Sequence, residues 1–232
     1  MHEYEQVTEG VFRIRGKRSN MYLLAEESPA LIDTGMPGDG EVILSAIKDL
    51  GYAPAALQYI FITHGHLDHV GSLAAVKAAT NARVVASINE KDHVEGRKML
   101  CSMKREGAGG KAFRVILFFM EKFFQKYEPA RVDLPFGGGA GSDAPAGIKI
   151  IETPGHSAGS LSFYHEKKKV LFSGDALSGM PSLRLPLKAG CSDYARALKS
   201  VQHIAELDFD ACLFGHGEPL IGRAREKVKA LL

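Results

Sequence analysis

The stretch Tyr59-Ile60-Phe61-Ile62-Thr63-His64-Gly65-His66-Leu67-Asp68-His69 decides how the rest of the chain reads. Its first half is a short apolar run, the pattern of a buried strand. Its second half packs three imidazoles and a carboxylate into six residues. Solvated polar side chains need no such clustering, and buried imidazoles would repel one another on protonation, so the cluster reads as metal ligation. Imidazole and carboxylate donors suit Zn, Fe or Mn, and a cluster without Cys points to a catalytic site with an open coordination position rather than a closed thiolate site.

Outward from this stretch the same event recurs. Ala30-Leu31-Ile32 stops at Asp33-Thr34-Gly35, and Ile148-Lys149-Ile150-Ile151 leads into Thr153-Pro154-Gly155-His156. Val170-Leu171-Phe172-Ser173 stops at Gly174-Asp175, and Ala211-Cys212-Leu213-Phe214 at Gly215-His216-Gly217. Open α/β sheets place ligands at the carboxyl ends of their strands. If these strands share a pair of sheets and point the same way, all five stops converge on one rim.

The intervening segments supply the rest of an α/β pattern. The chain opens as a β-meander through Asn20-Met21-Tyr22-Leu23-Leu24. Val42, Ile43, Ala46, Ile47 and Leu50 have helical spacing, closed by Gly51. Residues 71–80 read as a helix and 83–86 as the strand behind it. Residues 134–147 lack the Gly-Lys-Ser/Thr ending of a phosphate loop and read as a hairpin connection. Ser192 is placed to cap a helix carrying Tyr194, Ala197, Leu198, Val201, Ile204 and Leu207, and residues 223–232 form a short basic helix. Residues 90–130 break the rhythm. Their apolar part, 111–127, is too short and too charged at its ends to span a bilayer, which needs about 20 apolar residues. It reads as a helical insertion packed on the domain, with two alternatives: a lid bringing Phe118 and Phe119 to the substrate, or a homodimer contact.

Composition sets the outer bounds. At 232 residues and 45% hydrophobic content, the chain suits a single domain over 1–232 with the insertion at about 90–130. A net charge of +2 with acids and bases interspersed gives no basic stripe, so no nucleic acid is expected. The acidic start Met1-His2-Glu3-Tyr4-Glu5 lacks a signal-peptide core, and Cys101, Cys191 and Cys212 are widely separated. Both features lead to a cytoplasmic expectation, with the cysteines as small buried hydrophobes. His2, His93, His165 and His203 lack the strand-end context and are expected on the surface or on helices.

In order and spacing, His64-Gly65-His66-Leu67-Asp68-His69, followed by His156, Asp175 and His216, resembles the motif set of the metallo-β-lactamase superfamily over nearly the whole chain. The resemblance implies an α/β fold, a four-layer αβ/βα sandwich with two mixed β-sheets. It also implies two divalent metal ions, Zn in the first instance with Fe or Mn as alternatives. His64, His66 and His156 would hold one, and Asp68, His69 and His216 the other. Asp175 would bridge them, Asp33 would support the site from behind, and Asp68 is the ligand with a catalytic role. Two ions about 3.5–4 Å apart lower the pKa of water from about 16 toward 7. The implied reaction is therefore attack by a bridging hydroxide on a small-molecule ester, thioester, lactone or phosphodiester. Arg184 and Lys188, in the loop after Asp175, are candidates for binding a substrate carboxylate or phosphate.

Departures from individual branches narrow the reading. True β-lactamases have Cys or Ser where this chain has Asp175, which leaves at most weak side activity on β-lactams. The glyoxalase II-like branch shares all seven ligands, but only sixteen residues follow His216 here, so its glutathione-gripping part is expected to be missing. Quorum-quenching lactonases typically carry Tyr three residues after the bridging Asp, where this chain has Ser178. An iron-dependent oxidoreductase like the persulfide dioxygenases is the alternative class.

Overall fold

Strand alternation sorts the apolar residues into layers. In β3 (Asn20–Leu24), Met21 and Leu23 point to one side and Tyr22 and Leu24 to the other, and all four are buried. A computed structural model, which describes residues 3–98, 128–137 and 146–232, shows the same division in strand after strand. The first sheet runs in spatial order β1 (Tyr4–Thr8), β2 (Val11–Arg15), β3, β4 (Ala30–Ile32), β5 (Tyr59–Phe61), β6 (Arg83–Ser87) and β7 (Leu134–Phe136). Its first four strands form an antiparallel meander, and β4 to β7 pair in parallel. The second sheet runs β12 (Leu220–Ile221), β11 (Ala211–Phe214), β10 (Val170–Gly174), β9 (Leu161–His165) and β8 (Ile148–Glu152), with β10 and β11 parallel and the other pairs antiparallel.

Three apolar layers hold the sheets and helices together. Between the sheets lie Tyr22, Ile32, Phe61 and Val85 from the first and Ile150, Phe163, Phe172 and Leu213 from the second. Phe61 stacks tilted on Phe163 at 5.2 Å and Tyr22 on Phe172 at 5.6 Å between ring centroids. Such pairs contribute about 0.5–1.5 kcal/mol beyond the area they bury. On the outer face of the first sheet, Leu23, Ile60 and Val84 meet Ile43 and Ile47 of α1 (Gly40–Asp49) and Val76 of α3 (Leu73–Thr80). On the outer face of the second, Leu171 and Cys212 meet Val201 and Ile204 of α5 (Tyr194–Ile204) and Val228 of α6 (Ala224–Lys229). The result is the expected four-layer αβ/βα sandwich with two mixed sheets. The short helices α2 (Leu67–Val70) and α4 (Lys91–Val94) sit at strand ends.

Several expectations need correction. Residues 134–136 are not part of a hairpin connection but add β7 to the first sheet beside β6. Pro135 is tolerated because β7 is the last strand of that sheet, where a missing N–H leaves no ladder bond unmade. Asp193, not Ser192, caps α5: its side chain accepts from the Arg196 N–H at 3.0 Å, while the Ser192 hydroxyl donates to the Gly155 carbonyl. The last helix is shorter than expected, running from Ala224 to Lys229. His165 is neither on the surface nor on a helix but buried at the end of β9, paired with Val170, at the opposite end of β10 from Asp175.

Parallel pairing sets the strand ends side by side. The Asp33 N–H bonds the Phe61 carbonyl at 2.9 Å, and the Gly215 N–H bonds the Gly174 carbonyl at 3.0 Å. Across the sheets, Leu161 N–H reaches Thr63 O and Asn20 N–H reaches Gly215 O, both at 2.8 Å. The ends of β4, β5, β10 and β11 therefore open onto one rim.

Candidate metal centre

All seven residues of the motif set meet at this rim. His64 follows β5, and His66 sits in extended backbone just before α2, whose first turn carries Asp68 and His69. His156 comes from the turn after β8, Asp175 follows β10, and His216 follows β11. Three sets of donor atoms lie within 4.8 Å of one another: His64, His66 and His156; His64, His69 and Asp175; and Asp68, His69 and His216. In the first set, His66 Nδ1 is 2.9 Å from His64 Nε2 and 3.0 Å from His156 Nε2. Asp175 Oδ2 lies 3.4 Å from His156 Nε2 and 3.3 Å from His216 Nε2, and its Oδ1 lies 3.6 Å from His69 Nε2. Asp68 Oδ2 is 3.4 Å from His216 Nε2. Asp175 thus stands between the two outer sets.

Groups behind the site fix the imidazole tautomers. The Thr63 hydroxyl donates to Asp33 Oδ2 at 2.8 Å, so the 3.0 Å contact with His64 Nδ1 requires the imidazole N–H to be the donor. The lone pair of His64 Nε2 then faces the centre. Asp33 Oδ2 also accepts from His69 Nδ1 at 2.8 Å, and Asp33 Oδ1 accepts from the Thr63 N–H at 2.8 Å. His216 Nδ1 donates to the Arg18 carbonyl at 3.0 Å. Each Nε2 is thereby turned inward, the arrangement that orients imidazole ligands.

The His216 loop is held by side chains of the opposite sheet. Asn20 donates to the carbonyls of Phe214 at 3.1 Å and Gly217 at 2.7 Å, and the Tyr22 hydroxyl donates to Phe214 O at 2.7 Å. The buried Arg13 guanidinium bonds the Glu218 carboxylate at 2.8 Å. Gly215 is forced by proximity, since a Cβ there would lie 2.3 Å from Asp175 Oδ1 and 2.8 Å from the His69 ring.

The electrostatics divide the site in two. Burial, reinforced by neighbouring imidazoles, holds the pKa of His64 well below its ordinary value and that of His66 down to about 3; burial also lowers that of His156. These three imidazoles are neutral at pH 7. Burial works against charge on His69 as well, but the carboxylates of Asp33, Asp68 and Asp175 outweigh it and push the pKa up to about 10. His216 is raised against burial by its contact with Asp175, and Asp175 is held well below the carboxylate range, against burial, by His69, His216 and His156. The two halves together offer a neutral set of nitrogen donors beside an acidic pair that attracts positive charge.

Two deeply buried atoms, His69 Nε2 and Asp175 Oδ1, have no hydrogen-bond partner among the described residues. Leaving such atoms unpaired is costly, and both point at the place a cation would occupy. The donor set, the tautomers and these two atoms fit divalent metal.

Among the other expected contacts, Arg184 lies in the loop after Asp175, its backbone paired both ways with Ser178, and its Nε is buried without a hydrogen-bond partner among the described residues. That loop docks on the His216 turn through Gly179 N–H to His216 O at 2.9 Å. Lys188 is exposed in the same loop. Phe118, Phe119 and the whole 111–127 segment, with its lid and dimer readings, lie outside the described residues. Among the described residues, no helix is long and apolar enough to cross a membrane. Thr63, Asn20 and Glu90 support the site yet stand out little in the sequence; only Thr63, lodged between an apolar strand and the histidine cluster, carries a local signal.

Comparison with known proteins gives the family and the fold. The model of the metallo-beta-lactamase superfamily matches residues 14–216, and the chain belongs to that superfamily. It is a metal-dependent hydrolase by class. Its relatives include the "Probable metallo-hydrolase YflN" of Bacillus subtilis, 25% identical over 94% of this chain and 88% of that protein. Another is the hydroxyacylglutathione hydrolase GloC of Haemophilus influenzae, 28% identical over 83% of this chain and 81% of its own length. In fold, the chain matches the metallo-beta-lactamase family protein TTHA1429 from Thermus thermophilus with a TM-score of 0.72, covering 97% of this chain and 79% of that one at 24% identity.

Proposed function

We propose that this protein is a dinuclear hydrolase of small esters, thioesters or lactones. His64, His66 and His156 would hold one ion, Asp68, His69 and His216 the other, and Asp175 would lie between them. The observation that carries this reading is the convergence of seven donors from both sheets around two buried atoms, His69 Nε2 and Asp175 Oδ1, that lack hydrogen-bond partners among the described residues. When bound, the ions would activate water at neutral pH and offset the negative charge that develops on the substrate carbonyl.

The chain's own residues do the rest. Asp33 and Thr63 keep Nε2 of His64 and of His69 aimed inward. Asp68, half-exposed beside His216, is placed to accept a proton at the mouth of the site. Arg184 and Lys188 would hold the acidic end of a substrate. The relative named for hydroxyacylglutathione puts thioesters first among substrates to assay.

Metal analysis of purified protein together with a panel of thioesters, lactones, phosphodiesters and β-lactams tests the reading. About two Zn per chain and turnover of an acyl substrate are expected. One Fe per chain with oxygen uptake on a thiol substrate would overturn it in favour of an oxidoreductase. His66→Ala and Asp175→Ala are each expected to lower metal content and abolish turnover while leaving the far-UV circular dichroism unchanged, because both side chains sit on a rim outside the apolar layers. Full turnover in either variant contradicts the assignment.

A further inference from the structure

Glu90 is a buried carboxylate, 4% exposed, that lies at the start of α4 just beyond β6. Its two oxygens face two different loops. Oε2 accepts the Gly65 N–H at 3.0 Å, between His64 and His66, and Oε1 accepts the Gly159 N–H at 2.8 Å, in the turn that carries His156. The first loop belongs to one sheet and the second to the other, so a single side chain spans the seam across which the three imidazoles meet.

Packing around Glu90 is tight on both sides. A Cβ at Gly65 would lie 2.9 Å from Glu90 Oε2 and 2.9 Å from His93 Cβ. One at Gly159 would lie 2.7 Å from Ser87 Oγ and 2.8 Å from Glu90 Cγ. Both glycines let the backbone come close enough for its N–H to reach the carboxylate. The Glu90 carbonyl in turn accepts from His93 N–H at 2.9 Å and Val94 N–H at 3.0 Å, which fixes the residue to α4.

We propose that Glu90 is the positioning residue of the three-imidazole set, setting the separation of His64 and His66 from His156 by accepting one backbone N–H from each loop. A carboxylate is suited to this because both oxygens are acceptors. The amide of Gln has one acceptor and one donor, and its NH2 would face an N–H. Glu90→Gln therefore breaks one of the two struts with little change of volume, and Glu90→Ala breaks both.

The inference rests on the dinuclear reading above, and the test separates the two. In a His216→Ala background, which disables the other set, metal-free protein is titrated with Co2+ by d–d absorption and with Zn2+ against a chromophoric chelator. Glu90→Gln is expected to weaken that ion's affinity by about tenfold or more, the range seen when partners behind a ligand are lost, and to alter the Co2+ spectrum. Glu90→Ala should weaken it further. The metal-free Gln variant should still unfold cooperatively within a few degrees of its parent, the shift expected for one lost hydrogen bond. Parent-like affinity and spectrum in Glu90→Gln overturn the inference, as does a Gln variant that fails to fold or unfolds much earlier, since Glu90 would then serve the fold and not the site. A parent that takes up no metal overturns the dinuclear reading and this inference with it.

Discussion

Asp33 has a left-handed backbone, φ 58°, at a position that is 1% exposed. A residue with a side chain is uncommon there and carries strain on the order of 1–3 kcal/mol, kept only where surrounding contacts over-determine it. Here the Thr63 N–H, the Thr63 hydroxyl and His69 Nδ1 all converge on its carboxylate. Asp33→Asn keeps the shape but turns one acceptor into a donor that faces the His69 or Thr63 protons. Zinc affinity of the Asp68, His69 and His216 set is expected to fall about 10–100-fold, as measured by chelator competition; unchanged affinity would remove Asp33 from a supporting role. At this scale the sequence is uneven to read. The cluster 64–69 is legible because so many donors in so few residues have no other use. Glu90 is not, because its partners are backbone N–H groups 25 and 69 residues away, which no side-chain pattern announces.

Among elements, the strands that end in ligands are the most legible, since an apolar run followed at once by Gly with His or Asp marks both the strand and its end. β7 and β12 are hidden for opposite reasons. Pro135 makes β7 look like a turn, and β12 is only two residues long. What holds β7 in place is Asp133, whose Oδ2 accepts from the Val84 N–H at 2.9 Å and pairs with Lys77 of α3. Burial would raise the pKa of this carboxyl, but those partners lower it below its ordinary value. A group whose pKa is depressed in the folded protein stabilises it fully above the unfolded value of about 3.9 and loses that contribution as pH falls through the folded value. Asp133→Asn is therefore expected to cost about 1 kcal/mol at pH 7, and the gap from the parent should close as pH drops below about 4. Urea unfolding at pH 7 and pH 3 measures it. A gap that stays constant would show that charge at Asp133 is not involved.

For the whole molecule, the two sheets share the apolar layer built on Phe61, Phe163 and Phe172, and the site draws its side chains from both. We expect one cooperative calorimetric transition for residues 1–232 with and without metal, as for a single domain. Bound ions should raise its midpoint, since a ligand at about 1,000 times its dissociation constant stabilises the native state by about 4 kcal/mol. Two separate transitions would mean that the sheets fold as independent units. The layer architecture was readable in outline from strand alternation. How the sheets are joined was not, because the bonds from Asn20 and Tyr22 to the Phe214 and Gly217 carbonyls link residues nearly 200 positions apart.

The spread of the site along the polypeptide bears on biosynthesis. Four of the seven side chains, from His64 to His69, leave the ribosome early, whereas His156, Asp175 and His216 arrive much later. On the proposed two-ion assignment, a nascent chain that has yet to receive His156 would offer neither ion its full set of partners, so tight loading is expected to wait until most of the message is translated, and products terminated before that point are expected to stay empty.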